Sequence, residues 1–82
     1  MAVYYFDLRD GETLAVDEEG LELRNMGAVR EEAARALAGF AWDAMRLEGA
    51  QSQRMKIEVR DQNGPVMEVK FSFEIGACFL NR

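Results

Sequence analysis

Hydrophobic and polar positions alternate at both ends of this chain and recur with helical spacing in its middle. From about Ala2 to Leu8, Tyr4, Phe6 and Leu8 point one way and Val3, Tyr5 and Asp7 the other, the period of a strand. Arg9-Asp10-Gly11 is a turn signal, and Glu12 to Val16 returns. A two-residue Asp-Gly turn sets Leu14 against Asp7 and Val16 against Tyr5. A three-residue loop ending in a left-handed Gly11 sets Leu14 against Phe6 and Val16 against Tyr4. Opposed residues share a face, so the three-residue loop is the expectation. Asp17-Glu18-Glu19-Gly20 is a second turn, and Leu21 and Leu23 form an extended lead-in that pins the chain against a helix.

That helix is expected from about Met26 to Glu48, capped by Asn25 and stopped by Gly49. At a helical period, Val29, Ala33, Ala36, Leu37, Phe40, Ala44 and Leu47 form one apolar stripe. Ala34, Ala38, Ala41, Trp42 and Met45 widen the apolar arc past half the circumference. A helix on a single sheet needs an arc of roughly 100° or somewhat more. The excess points to a second burial surface centred on Trp42. Two readings of Trp42 stay open: a residue lying on the sheet edge or the C-terminal tail, or an interface anchor beside small alanines.

Met55, Ile57 and Val59 alternate with Lys56, Glu58 and Arg60, and Asn63-Gly64-Pro65 marks a turn. Met67, Val69, Phe71, Phe73 and Ile75 then alternate with Glu68, Lys70, Ser72 and Glu74. Pairing Val59 with Met67 would set Glu58 against Glu68 and Lys56 against Lys70. Pairing Val59 with Val69 opposes Arg60 to Glu68 and Glu58 to Lys70. Unlike pairs are favoured, so the second register, with a loop of about five residues, is the expectation. The tail carries Ala77, Cys78, Phe79 and Leu80, which either extend the last strand or dock on a neighbouring subunit. The whole reads as one α+β domain over residues 1–82 with ββαββ order: antiparallel hairpins forming a small sheet, one long helix packed on one face.

Composition narrows the functions. Eighty-two residues make one domain, and a chain this short buries only about 60–65% of its unfolded surface. Disulfide, metal or partner subunit is the usual supplement. Cys78 is the sole cysteine and there is no histidine, so self-association is favoured, with a dimer preferred. A net charge of −5, with ten Lys and Arg scattered among acids, argues against nucleic acid and anionic membrane partners. No signal peptide or spanning segment is visible, and one free thiol fits a reducing cytoplasm.

No catalytic constellation emerges. Ser52, Ser72, Thr13 and Cys78 have no imidazole to activate them. Asp17, Glu18 and Glu19 lack the alternating ligand spacing of a calcium loop and read as a solvated turn. No Gly-rich phosphate cradle is present, and no cofactor is expected. Tyr4, Phe6, Phe71 and Phe73 read as core, whereas Tyr5 lies on the opposite face, either modestly exposed or covered by a partner. The interface candidates are therefore Ala34, Ala38, Trp42, Met45, Tyr5, Phe79 and Leu80.

The stretch Tyr4-Tyr5-Phe6-Asp7-Leu8-Arg9-Asp10-Gly11, followed by Asp17-Glu18-Glu19-Gly20-Leu21-Glu22-Leu23 and an Ala/Arg/Glu-rich helix, resembles DUF6894. These are short proteins of unknown function from rhizobia and related α-proteobacteria. Members often carry histidine where this chain has Asp7, and Asp where it has Asn25. The resemblance implies a bacterial cytoplasmic origin and ββαββ architecture, but no activity.

Three functional classes follow. The first is a non-catalytic, self-associating interaction or regulatory module. The second is an antitoxin-like inhibitor of a small basic protein, since the layout is similar to the partial RNase-H-like domains of HicB-type antitoxins. The third is a ligand-binding or enzymatic site completed only at an oligomer interface.

Overall fold

The computed structural model describes residues 1–76. Five strands and one helix follow in the order β1 (Ala2–Asp10), β2 (Thr13–Ala15), β3 (Leu21–Leu23), α1 (Met26–Leu47), β4 (Ser52–Asp61) and β5 (Gly64–Glu74). The class is α+β, but three strands precede the helix, so the order is βββαββ. The lead-in at Leu21–Leu23 is itself a strand: it pairs with β1, matching Ala2 to Leu23 and Tyr4 to Leu21. All pairings are antiparallel, in the order β2-β1-β4-β5, with β3 also on β1. β2 and β3 thus share one edge of β1, at opposite ends.

Two expected registers are corrected. In the first hairpin Asp10 pairs with Thr13 and Arg9 with Leu14. The loop is Gly11-Glu12, with Gly11 at φ 63 and no non-glycine residue at positive φ among the described residues. Positive φ at the first central position only is the type II′ pattern, whose twist suits two-residue hairpins. This turn puts Leu14 on the outer face beside Arg9 rather than against Phe6. Val16 lies beyond the end of β2 and is exposed.

In the second hairpin Val59 pairs with Met67, Glu58 with Glu68 and Lys56 with Lys70, followed by a bulge between Val59 and Arg60. The like charges in this register find partners along β4 and diagonally across the strands. Lys56 lies 3.2 Å from Glu58 and 3.3 Å from Glu68, and Arg9 reaches Glu58 at 3.3 Å. Diagonal neighbours are within reach of long side chains, so direct opposition alone does not decide register. Tight closure also replaces the expected five-residue loop: Asp61 pairs with Gly64, and Asp61 Oδ1 accepts from the Asn63 N–H at 2.7 Å.

Asn25 caps α1 as expected, its side chain accepting from the Ala28 N–H at 2.8 Å. At the far end Gly49, at φ 67, turns the chain so that the Ala50 N–H reaches the Ala44 carbonyl at 3.0 Å. The helix rests mainly on β4. Its buried line is Val29, Ala33, Leu37, Ala41 and Ala44, against Met55, Ile57 and Val59. Tyr4, Phe6, Leu8, Leu23, Met67, Val69 and Phe73 close the core in part. The expected stripe is too wide: Phe40 is 42% and Leu47 65% exposed, while Ala41 joins the core. Three alanines in the contact line bring the helix axis close to the strands, so only a narrow strip is covered. The largest fully buried side chains are only Ile57, Val29 and Val59, a thin core for this length.

Candidate functional site

The outer sheet face, away from the helix, carries the most developed polar constellation. Alternation places Tyr5, Asp7 and Arg9 of β1 there, and the register brings Arg60, Glu58 and Lys56 of β4 directly opposite them. Asp7 is the one buried charged residue among those described, at 8% exposure. Arg60 donates from Nε to Asp7 Oδ2 at 2.9 Å and from Nη2 to the Asp17 carbonyl at 2.9 Å. The other carboxylate oxygen of Asp7 accepts the Asp17 N–H at 2.8 Å. Charge assistance makes these bonds stronger than neutral ones.

Asp17 in turn fills a hole in the sheet. Between the end of β2 and the start of β3, β1 has no strand neighbour on that edge. There the Asp17 Oδ2 accepts the Phe6 N–H at 3.0 Å. Its Oδ1 accepts the N–H groups of Glu19 and Gly20 at 3.1 and 3.2 Å, closing an Asx-type turn. A side-chain carboxylate thus does the work of a missing strand. Burial pushes the Asp17 carboxyl up, but the N–H groups of Phe6, Gly20 and Glu19 and the charge of Arg60 outweigh it and hold the group below its ordinary value. The Arg60 guanidinium is held above its ordinary range by its bond to Asp7.

Tyr5 is covered by its own chain. Arg60 lies over its ring, 4.5 Å from the centroid. Gly20, at φ +76, lies so close that an added Cβ would stand 2.7 Å from Val3 Cγ1 and 2.9 Å from Tyr5 Cε2. Glycine is required there by both the backbone conformation and the packing.

Across β4 and β5 the same face is striped. Asp7, Glu58 and Glu68 form an acidic row, and Arg9, Lys56 and Lys70 a basic one. The Glu58 carboxyl is held below its ordinary value chiefly by the Lys56 ammonium, and Lys56 is raised by Glu58 and Glu68. A shallow depression of about 530 Å³ beside the basic row is lined by Arg9, Arg54, Lys56, Lys70, Phe71 and Ser72, among others. Cations that look scattered in sequence are therefore gathered by the register, though Glu58 and Glu68 engage Arg9, Lys56 and Lys70.

Among the described residues no buried side-chain polar atom lacks a partner, and no cluster of acids, Cys or His has the arrangement of a metal site. The geometry of Asp7, Asp17 and Arg60 is that of a clip, with both oxygens of each carboxylate committed to holding the β2–β3 turn on β1. Sequence reasoning read Asp17 as a solvated turn residue. The available signal was its position three residues before Gly20, together with Asp7 directly after three aromatic residues.

Of the expected interface residues, Ala34, Ala38 and Trp42 are exposed and on one flank of α1, with Trp42 at 59%. Met45, on the same flank, is half-buried. Tyr5 is on the opposite side of the sheet and does not join them. Phe79 and Leu80, with Ala77 and Cys78, lie outside the described residues. No described helix is long and apolar enough to cross a membrane.

No curated protein and no solved structure matches this chain. Residues 3–72 do match one family, described as Domain of unknown function (DUF6894). That span takes in the Asp7–Asp17–Arg60 clip, the whole helix and all of β5 but its last two residues. This chain belongs to the DUF6894 family.

Proposed function

We propose that the chain is a non-catalytic interaction module that works as a homodimer. The exposure of Trp42 carries the reading. An indole 59% exposed, flanked by exposed Ala34 and Ala38, is a large aromatic anchor beside residues small enough for close approach. Tryptophan is enriched among the residues that dominate binding energy, and desolvating it is a main source of affinity. The thin core supports the same reading, because a one-helix cover leaves a short chain short of buried apolar area. The engaged state of Asp7, Asp17, Arg60, Glu58 and Lys56 supports a scaffold role for the polar face. The family resemblance and the single cysteine favour a bacterial cytoplasmic setting, and the net charge of −5 favours protein over nucleic-acid or membrane partners.

Sedimentation equilibrium across roughly micromolar to tens of micromolar concentrations tests this. The expected result is a reversible dimer whose Kd rises roughly tenfold or more in Trp42→Ala, with the folded signal unchanged. A monomer throughout that range removes the reading.

A further inference from the structure

We infer that two copies join through β5, edge to edge and antiparallel, with Val69 facing its symmetry mate, so that one sheet runs continuously through the dimer. This rests on the self-association reading and names the surface it uses. Among the described residues β5 pairs only with β4, which leaves the other edge of an 11-residue strand with unmatched backbone donors and acceptors. Such an edge is a template for another strand. Phe71 and Ile75, at this border of the sheet, are exposed.

The occupant follows from the sequence of the strand itself. Gly64–Glu74 overlaps fully with its own antiparallel copy only when centred on Val69. Glu68 then lies opposite Lys70 of the second copy, and Lys70 opposite Glu68, giving two unlike pairs by symmetry. On the other face Val69 meets Val69, and Met67 meets Phe71 twice. Centring on Glu68, Lys70 or Phe71 instead opposes like charges: Glu68 to itself, Lys70 to itself, or Glu68 to Glu74. Centring on Ser72 opposes Lys70 to Glu74 but shortens the overlap to residues 70–74. Charge favours the Val69 and Ser72 centres, and the longer overlap, counted through the bulge at Val66, favours Val69.

This seam also accounts for the Trp42 flank. β3 and β4 both run antiparallel to β1, so β3–α1–β4 is a crossover between parallel strands. Such crossovers are right-handed in about 98% of cases. On the right-handed path the helix turns Ala34, Ala38 and Met45 toward β5, with Trp42 on the outer rim. A two-fold axis normal to the sheet places both helices on the same face. Seated over β4 and its mate, they lie about three strand spacings apart, roughly 14 Å. Close-packed helices need about 8–10 Å, and Met45 is the large side chain on that flank to fill the difference, with Trp42 above it at the rim.

Charge reversal tests the register. Glu68→Lys or Lys70→Glu alone creates two like pairs in the dimer, and each should raise the sedimentation Kd roughly tenfold. Glu68→Lys with Lys70→Glu restores both pairs and should return the Kd to near wild type. Within the chain the double variant sets Glu58 opposite a lysine and Lys56 opposite a glutamate, so it is expected to stay folded. In a Cys78→Ser background, Val69→Cys should oxidise to a disulfide-linked dimer, reversed by reductant. A dimer whose Kd ignores both single reversals and that does not cross-link overturns the β5 seam but leaves self-association standing. A monomer overturns both.

Discussion

The two long edges of this sheet are treated in opposite ways. On the β1 side, two short strands and the Asp17 carboxylate cover the edge between them, with Asp7 and Arg60 holding the turn in place. On the β5 side, a longer strand than any on the other edge carries no cover among the described residues. Natural sheets blunt exposed edges with bulges, prolines and charges. β5 has a proline and a bulge only at its start, at Pro65 and Val66, and its charges alternate in sign in a way that suits its own copy. The comparison separates two jobs: the clipped side holds the protomer together, and the bare side is the one proposed for association.

Removing the clip should have the largest effect. Asp7→Ala strips a buried carboxylate from two partners, leaving the Asp17 N–H unmet and Arg60 without its counter-ion. A cost of about 2–3 kcal/mol in urea unfolding is expected, since a buried group left without its partner costs more than the bond was worth. The dimer Kd, measured where the variant is folded, should hardly move. A variant that unfolds normally but loses dimerisation would break the division between the two edges.

Gly20→Ala comes next. It places a Cβ at positive φ and within 3 Å of Val3 and Tyr5, so backbone strain and a clash add. The expected loss is about 2 kcal/mol, again without effect on association. Near-neutral behaviour would mean that the turn sits away from Tyr5 in solution, and that Arg60 alone covers the ring.

How far the sequence went follows the range of each interaction. Period and caps are local, so the strands, the helix ends at Asn25 and Gly49, and the inward set Met55, Ile57 and Val59 could be read directly. Register is not local. Leu14 moved to the outer face because one glycine took the first turn position instead of the last. Glu58 could face Glu68 because Lys56 reaches both carboxylates and Arg9 reaches Glu58, from strands whose neighbours the sequence does not reveal. Phe40 and Leu47 fell outside the core because the helix seats on alanines, and seating depth depends on the surface below it. The clip joins Asp7, Asp17 and Arg60 across more than fifty positions, so only its local piece, Asp17 with Gly20, left a trace. Trp42 was legible as surplus apolar area because surplus can be counted on one helix alone.

The smallest expected effect is also the most specific to the clip. The Asp17 carboxyl sits below its ordinary value in the folded state, so the folded chain binds that proton less readily than the unfolded one. Its stabilisation is therefore complete above the ordinary aspartate range, near pH 4, and is lost as the pH falls through the lower folded value. In Asp17→Asn the charge is absent at every pH, so the gap in unfolding free energy between wild type and variant should be widest near neutrality. It should narrow as the pH drops below about 4. Asp17 is only partly buried, so screening keeps the change modest, and added salt should shrink only the part that comes from Arg60. A gap independent of pH would mean that the Phe6, Glu19 and Gly20 bonds do not depend on the ionised carboxylate. The β1 edge would then be held by strand pairing alone, and the contrast with β5 would reduce to strand length.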